Sequence, residues 1–213
     1  MSKPLTLYVD SLFLSPYAMS AYVALTEKKL PFEIRVIDLA AGEQRMQPYL
    51  KRALTGRVPA LTHNGLNLTE SSAISEYLED IYPPAEYTRL YPADPQTRAK
   101  ARQVQAWLRS DLLALRQERS TETVFYGADA APLSDTALAA ATKLIHVAGT
   151  MLSGDASNLF GAWCLADTEL ALMLKRLTHA QDGLPVALQH YADMQWQRPA
   201  VQEWLKHNAA ARG

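Results

Sequence analysis

The sequence predicts an α/β amino-terminal domain (residues 1–82), a linker (83–96) and an all-helical carboxyl-terminal domain (97–213). Three observations carry that division. Short alternating runs rich in strand formers lie in the first third of the chain. A proline-bearing stretch with no clear helix or strand period follows. Beyond it, apolar residues recur three and four positions apart.

Leu5 to Val9 alternates and reads as a first strand. Ser15-Pro16 then gives a helix start, a polar cap followed by proline at the first helical position. This helix runs through Ala21, Val23, Ala24 and Leu25 and ends near Lys28-Lys29, cations suited to its carboxyl end. Phe32 to Ile37 alternates strictly and predicts a second strand, parallel to the first across the intervening helix. Val58 to Thr62 reads as a short third strand, and Asn64-Gly65 turns the chain into an antiparallel fourth at Leu66 to Leu68. Ser71 to Tyr82 reads as a helix with Ala73, Ile74, Tyr77, Leu78 and Ile81 on one face. This order, βα–β–irregular–ββα, is the thioredoxin-like arrangement. After Pro83-Pro84, Pro92 and Pro95, helices are expected over Thr97–Glu118, Ser134–Leu152, Ala166–Thr178, Pro185–Met194 and Pro199–Asn208. The third of these is apolar nearly all round and belongs in the middle of a bundle.

The bulk numbers exclude several function classes. Twenty-one basic residues face twenty-two acidic ones, for a formal net charge of −1, with none of the clustered basic excess expected of a nucleic-acid binder. The basic residues between Arg98 and Arg119 are interleaved with Asp111 and Glu118 and read as a solvated helix face. Cys164 is the only cysteine, so an internal disulfide, a CxxC pair and a cysteine-rich zinc site are ruled out. The five histidines (His63, His146, His179, His190, His207) show no metal-ligand spacing, and no metal is expected. Lys3 precedes an apolar stretch that Asp10 interrupts, a poor signal peptide. No apolar run approaches the roughly 18 residues of a membrane span. A cytoplasmic location is the expectation.

Three features point to chemistry. Ser15 stands where a strand turns into a helix, so its hydroxyl and the free N–H groups of the helix end would favour a thiolate held there. The plain alternative is an ordinary helix start. Val58-Pro59 suggests an edge strand or bulge whose free main-chain groups pair with a peptide backbone, or simply an edge-strand proline. Glu70-Ser71 opens a helix whose amino end suits a carboxylate while Glu70 answers an ammonium group, as an α-amino acid head requires. Simple capping is the alternative there.

Taken in order, Ser15-Pro16-Tyr17, Arg57-Val58-Pro59-Ala60-Leu61 and Glu70-Ser71-Ser72-Ala73-Ile74 resemble the glutathione S-transferase superfamily, in its serine-type form. The Glu-Ser-x-Ala-Ile segment resembles that family's γ-glutamyl site. The resemblance covers the whole chain and implies glutathione as co-substrate, with Ser15 hydrogen-bonding its sulfur. Val58, next to a cis Pro59, would pair its main chain with the cysteinyl residue. Glu70 and Ser71 would hold the γ-glutamyl ammonium and carboxylate, and Arg57, with Lys51 as a second candidate, the glycyl carboxylate. Leu165-Ala166-Asp167 resembles the family's capping box, with Asp167 as its carboxylate and Cys164 where serine or threonine is usual. Two-fold dimers are expected, pairing the amino-terminal domain of one subunit with the helical domain of the other.

The resemblance places a second substrate between the domains along the first long helix, with Trp107, Ser110, Asp111, Phe125 and Tyr126 as candidates against simple packing. The runs Gln105 to Leu112, Trp163-Cys164 and Gln195 to Arg198 resemble a bacterial branch linked to oxidative stress. That implies peroxide or disulfide reduction beside conjugation to a small electrophile. A non-catalytic interaction module and a ligandin-type carrier are the rival functions.

Overall fold

The structure, a computed structural model, describes residues 5–152, 157–177 and 182–213. Lys3, Thr178 and His179, all named in the sequence reading, lie outside the described residues. The elements of the first half run β1 (Leu5–Asp10), α1 (Pro16–Glu27), β2 (Phe32–Ile37), a 3-10 turn at Glu43–Arg45, α2 (Gln47–Leu50), β3 (Ala60–His63), β4 (Leu66–Thr69) and α3 (Ser71–Ile81). Then follow α4 (Pro95–Ser110), α5 (Leu113–Glu118), α6 (Thr121–Tyr126), α7 (Asp135–Met151), α8 (Leu165–Lys175), α9 (Val186–Trp196) and α10 (Pro199–Arg212). This is the thioredoxin-like α/β fold followed by helices that the sequence predicts. By contacts the chain forms two compact units, Met1–Leu90 with Pro199–Gly213, and Tyr91–Arg198.

In the first unit the strand order is β2-β1-β3-β4. Strand β1 pairs in parallel with β2 and antiparallel with β3, and β3 continues antiparallel into β4. Leu5, Leu7 and Val9 alternate into the core, as period-two apolar residues do. Helix α1 is buried from Ala18 to Leu25 because it packs on β1 and against α3 and α10. Its carboxyl end is fixed by Lys28, whose fully buried ammonium lies 2.7 Å from Glu79 and donates to the carbonyls of Tyr82 at 2.8 Å and Thr88 at 3.0 Å. Glu79 also accepts from the Leu90 N–H at 3.1 Å. A buried cation satisfied by three acceptors holds the chain leaving α3 onto this unit.

Helix α10 is the clearest departure from chain order. Read along the sequence it is the last piece of the helical domain, yet its buried residues Ala200, Val201, Trp204 and Asn208 pack in the first unit. An apolar helix face in a sequence does not say which layer it covers. Here Trp204, with no exposed surface, meets Tyr22 at 5.4 Å and the ring of Phe13 edge-on at 5.0 Å.

In the second unit the expected continuous helix over Thr97–Glu118 is broken at Asp111-Leu112. Leu112 takes a left-handed conformation, φ 61°, and Asp111 accepts from its N–H at 2.7 Å. The periodicity still reports burial, since Ala101, Val104, Leu108, Leu112 and Leu115 are all buried. Apolar spacing records a face, and a one-residue change of backbone hand leaves that face in place. The short helices α2 and α6 carry too few residues to show a period.

Helix α8 is buried nearly throughout and packs against α4, α7 and α9, as its apolar circumference predicts. Asp167, with no exposed surface, accepts from the backbone N–H groups of Cys164 at 2.9 Å and Leu159 at 2.7 Å and from the Tyr191 hydroxyl at 2.9 Å. Burial raises the Cys164 thiol well above its ordinary value, and the neighbouring Asp167 carboxylate adds to that rise.

Replacing Asp167→Ala strands two buried N–H groups and a buried hydroxyl, so urea unfolding should show a loss of about 3–5 kcal/mol. Cys164, buried and with its thiolate disfavoured, should resist a disulfide reagent such as dithionitrobenzoate in native buffer and react stoichiometrically in urea.

Candidate functional site

The sheet register gathers the candidate residues. Because β1 and β2 run parallel while β1 with β3 and β3 with β4 run antiparallel, the carboxyl ends of β1, β2 and β4 share one sheet edge with the amino end of β3. Ser15, the 39–45 segment, Arg57-Val58 and Glu70-Ser71 are the residues that leave or enter the sheet there.

Ser15 caps α1, its Oγ accepting from the Ala18 N–H at 3.2 Å, and Pro16 occupies the first turn, where a missing N–H costs nothing. The cap uses an acceptor lone pair of the hydroxyl, so its proton remains a donor. The connection to β1 is organised by Asp10, which is buried and accepts from the N–H groups of Leu14 at 2.6 Å and Ser15 at 3.0 Å.

Ser15 lines a cavity of about 440 Å3 together with Gln44, Arg45, Gly56, Arg57 and Val58. That size falls in the ~300–1,000 Å3 range of small-molecule sites. Two guanidinium-bearing residues and the amino end of α1 give the cavity a field that favours anions. The Tyr49 hydroxyl, on the short α2, donates to the Arg57 carbonyl at 2.6 Å. Its ring packs with Ile37, Ala53, Val58 and Ala60, so α2 anchors the segment entering β3. The Val58–Pro59 peptide bond is cis. Gly56 needs its missing side chain. Its φ is +61°, and a Cβ would meet Leu50 Cδ2 at 3.3 Å and the Gln44 carbonyl at 3.4 Å.

Glu70 precedes α3 with φ 70° and ψ 118° and makes no side-chain cap. For a residue with a Cβ this backbone costs on the order of 1–3 kcal/mol, and such strain gathers at ligand sites. Its carboxylate is exposed, whereas Ser71, the first residue of α3, is buried. The capping alternative therefore does not account for Glu70. Lys51 is exposed at the carboxyl end of α2 and is not among the lining residues of the cavity.

In the second unit Trp107 lines a cavity of about 620 Å3 with Lys100, Val104, Met151 and Phe160. Ser110, Asp111 and Tyr126 do not line it. Asp111 accepts from the Trp107 indole at 3.0 Å, from the Leu112 N–H and from Lys143. The Lys143 ammonium, with those two N–H donors, pulls its carboxyl down to about 2. Phe125 lies 6.1 Å from the ring of Trp196.

Sequence reasoning missed Asp10, Gln44 and Arg45. Asp10 reads only as a break in an apolar stretch, and the two others sit in a segment without periodicity. A polar residue at the end of a buried strand was the available signal for Asp10. Among the described residues no helix is long and apolar enough to cross a membrane, and no group of three His, Cys, Asp or Glu side chains is arranged to hold a metal ion.

Two family models match the chain. Glutathione S-transferase, C-terminal domain, matches residues 94–210, and glutathione S-transferase, N-terminal domain, matches residues 11–86. The chain is similar to a glutathione transferase homologue from Burkholderia GL BGR1, solved with bound glutathione, at 43% identity and a TM-score of 0.83, covering 98% of this chain and 100% of that one. It is 33% identical to glutathione S-transferase theta-1 of Homo sapiens over 147 residues, 67% of this chain and 58% of that protein. It is 40% identical to protein LigF of Sphingobium sp. (strain NBRC 103272 / SYK-6) over 91 residues, 43% of this chain and 35% of that protein. The matches to these curated relatives thus span between one third and three fifths of their length.

Proposed function

The chain belongs to the glutathione S-transferase family, and from that premise we propose that it binds glutathione at the sheet edge and joins its thiolate sulfur to an electrophile, with Ser15 as the catalytic residue. The observation that carries this reading is the Ser15 hydroxyl, which caps α1 with a lone pair, keeps its proton to donate, and lines the cavity.

The magnitudes suffice. A free thiol has a pKa of about 8.5, and one unit corresponds to about 1.4 kcal/mol. A hydrogen bond to a charged acceptor contributes ~1.5–3 kcal/mol, and the helix end roughly 0.3–1 kcal/mol. Together they lower the thiol by about one to three units, so that much of it is thiolate near pH 7. Arg57 and Arg45 suit the glycyl carboxylate, the Val58 main chain the cysteinyl residue beside Pro59, and Glu70 with the Ser71 end of α3 the γ-glutamyl ammonium and carboxylate. Lys51, exposed at the carboxyl end of α2, is a second candidate for that glycyl end.

The sulfur attacks an electrophilic carbon and expels its leaving group. With a hydroperoxide it takes the terminal oxygen and releases an alcohol, and a second glutathione then yields the disulfide and water. With a disulfide it displaces a thiolate. The nucleophile belongs to the ligand, so no covalent protein intermediate forms. The peroxidase and disulfide-reductase reactions, and a role in oxidative stress, rest on the sequence runs that resemble a stress-linked bacterial branch. Family membership also supports a two-fold homodimer, and a chain whose one cysteine is buried suits a reducing cytosol.

The first test is the thiolate absorbance of bound glutathione near 240 nm against pH. Wild type should titrate about one to three units below free glutathione, and Ser15→Ala should return the midpoint most of the way to the free value. Equal midpoints in both proteins would reduce Ser15 to a helix cap. A separate measurement addresses the tripeptide's ends. Glu70→Gln and Arg57→Ala should each weaken glutathione binding by roughly tenfold or more, as the loss of a charge-assisted bond does, while leaving the bound thiol's midpoint within a few tenths of wild type.

A further inference from the structure

We infer that Asp10 and Asn208 are positioning residues for the Ser15 hydroxyl, gripping the segment between β1 and α1 from two sides; the inference rests on the reading of Ser15 given above. Residues 11–15 are held one after another. The Ser11 N–H donates to the Ile37 carbonyl at 3.0 Å and the Phe13 N–H to the Asp10 carbonyl at 3.1 Å. The two Asp10 carboxylate oxygens take the Leu14 N–H at 2.6 Å and the Ser15 N–H at 3.0 Å. From the other side the Asn208 amide of α10 donates to the Leu12 carbonyl at 2.8 Å.

Phe13 shows why the grip is needed. It has φ 54°, a left-handed setting that a residue with a large side chain keeps only when its surroundings over-determine it. Its ring is stacked on His207 at 5.1 Å with planes 12° apart, and meets Trp204 edge-on at 5.0 Å. No glycine or proline eases the turn from Ser11 to Leu14. Asp10 and Asn208 are 5% and 4% exposed, and each spends its polar side chain on the backbone of this loop instead of on its own element.

The consequence falls on one proton. Ser15 Oγ is already tied to the Ala18 N–H, so its single donor reaches a sulfur only if the Ser15 backbone stays where Asp10 holds it. Displacements of about 1 Å at such a group cost on the order of 10²-fold in rate. Helix α10 thereby joins the machinery of thiol activation, although its residues lie at the far end of the chain and touch no reacting atom.

The test uses the full chain and titrates the thiolate of bound glutathione in wild type, Ser15→Ala, Asp10→Asn, Asn208→Ala and the double variant Asp10→Asn/Ser15→Ala. Asp10→Asn keeps the shape but turns one acceptor into a donor facing an N–H; loss of the carboxylate would by itself favour the thiolate, so a rise in midpoint reports lost positioning. Asp10→Asn and Asn208→Ala should each leave at least threefold less thiolate below the midpoint, a rise of about half a unit. Affinity for S-methylglutathione, which has no thiol to activate, should stay within twofold. The double variant should titrate no higher than Ser15→Ala does, because both changes act through one hydroxyl. If Ser15→Ala raises the midpoint and the other two lose only stability in urea, Asp10 and Asn208 are structural and the inference falls alone. Additivity in the double variant would also overturn it. If Ser15→Ala leaves the wild-type midpoint, the Ser15 reading falls and takes this inference with it. Should Asp10→Asn fail to fold, Asn208→Ala, which leaves the sheet untouched, decides the question.

Discussion

The pairing of β1 with β2 on one side and β3 on the other, continued by β3 with β4, brings Ser15, Arg57-Val58 and Glu70-Ser71 to one edge of the sheet. A parallel neighbour puts two carboxyl ends at the same edge, and an antiparallel neighbour puts an amino end beside them. The chain therefore delivers a helix start, a 3-10 turn, a strand entrance and a second helix start to one line of the molecule. Two helix amino ends at that edge bring a positive field without any bound ion. A ligand with an anionic group at each end and a thiol between them fits that arrangement of charge.

That edge works only if its loops hold still, and buried polar side chains supply the restraint. Asp10 takes two N–H groups of the loop before α1, Tyr49 holds the carbonyl of Arg57, and Lys28 ties down the chain that leaves α3. In the helical unit Asp167 does the same for the entrance to α8. Each group would be costly to bury alone, and each is satisfied by main-chain groups that a loop cannot pair within itself. The fold thus spends these buried polar side chains on connections, and its apolar residues on the layers between them.

Much of this was legible in the sequence because it depends on short-range pattern. Period-two runs marked β1 and β2, apolar spacing marked the face buried by α4 and α5, and Ser15-Pro16, Val58-Pro59 and Glu70-Ser71 stood out as junctions whatever the rest of the chain did. Arg57 was named only through the family resemblance, as the residue before Val58-Pro59. The segment from Leu39 to Thr55 was not legible, since a 3-10 turn and a one-turn helix are too short to carry a period. Gln44 and Arg45 therefore went unseen.

The sequence by itself determined the two classes of layer, the buried faces and the residues at the strand and helix ends, because local periodicity and capping chemistry are written in neighbouring residues. Only the tertiary structure decided which ends meet, that α10 packs in the first unit and holds the Leu12 carbonyl, that Leu112 reverses hand within an unbroken apolar stripe, and that Asp10 is a clamp. Those outcomes rest on contacts between residues far apart in the chain, where many partners satisfy the same apolar or polar requirement and only packing selects one.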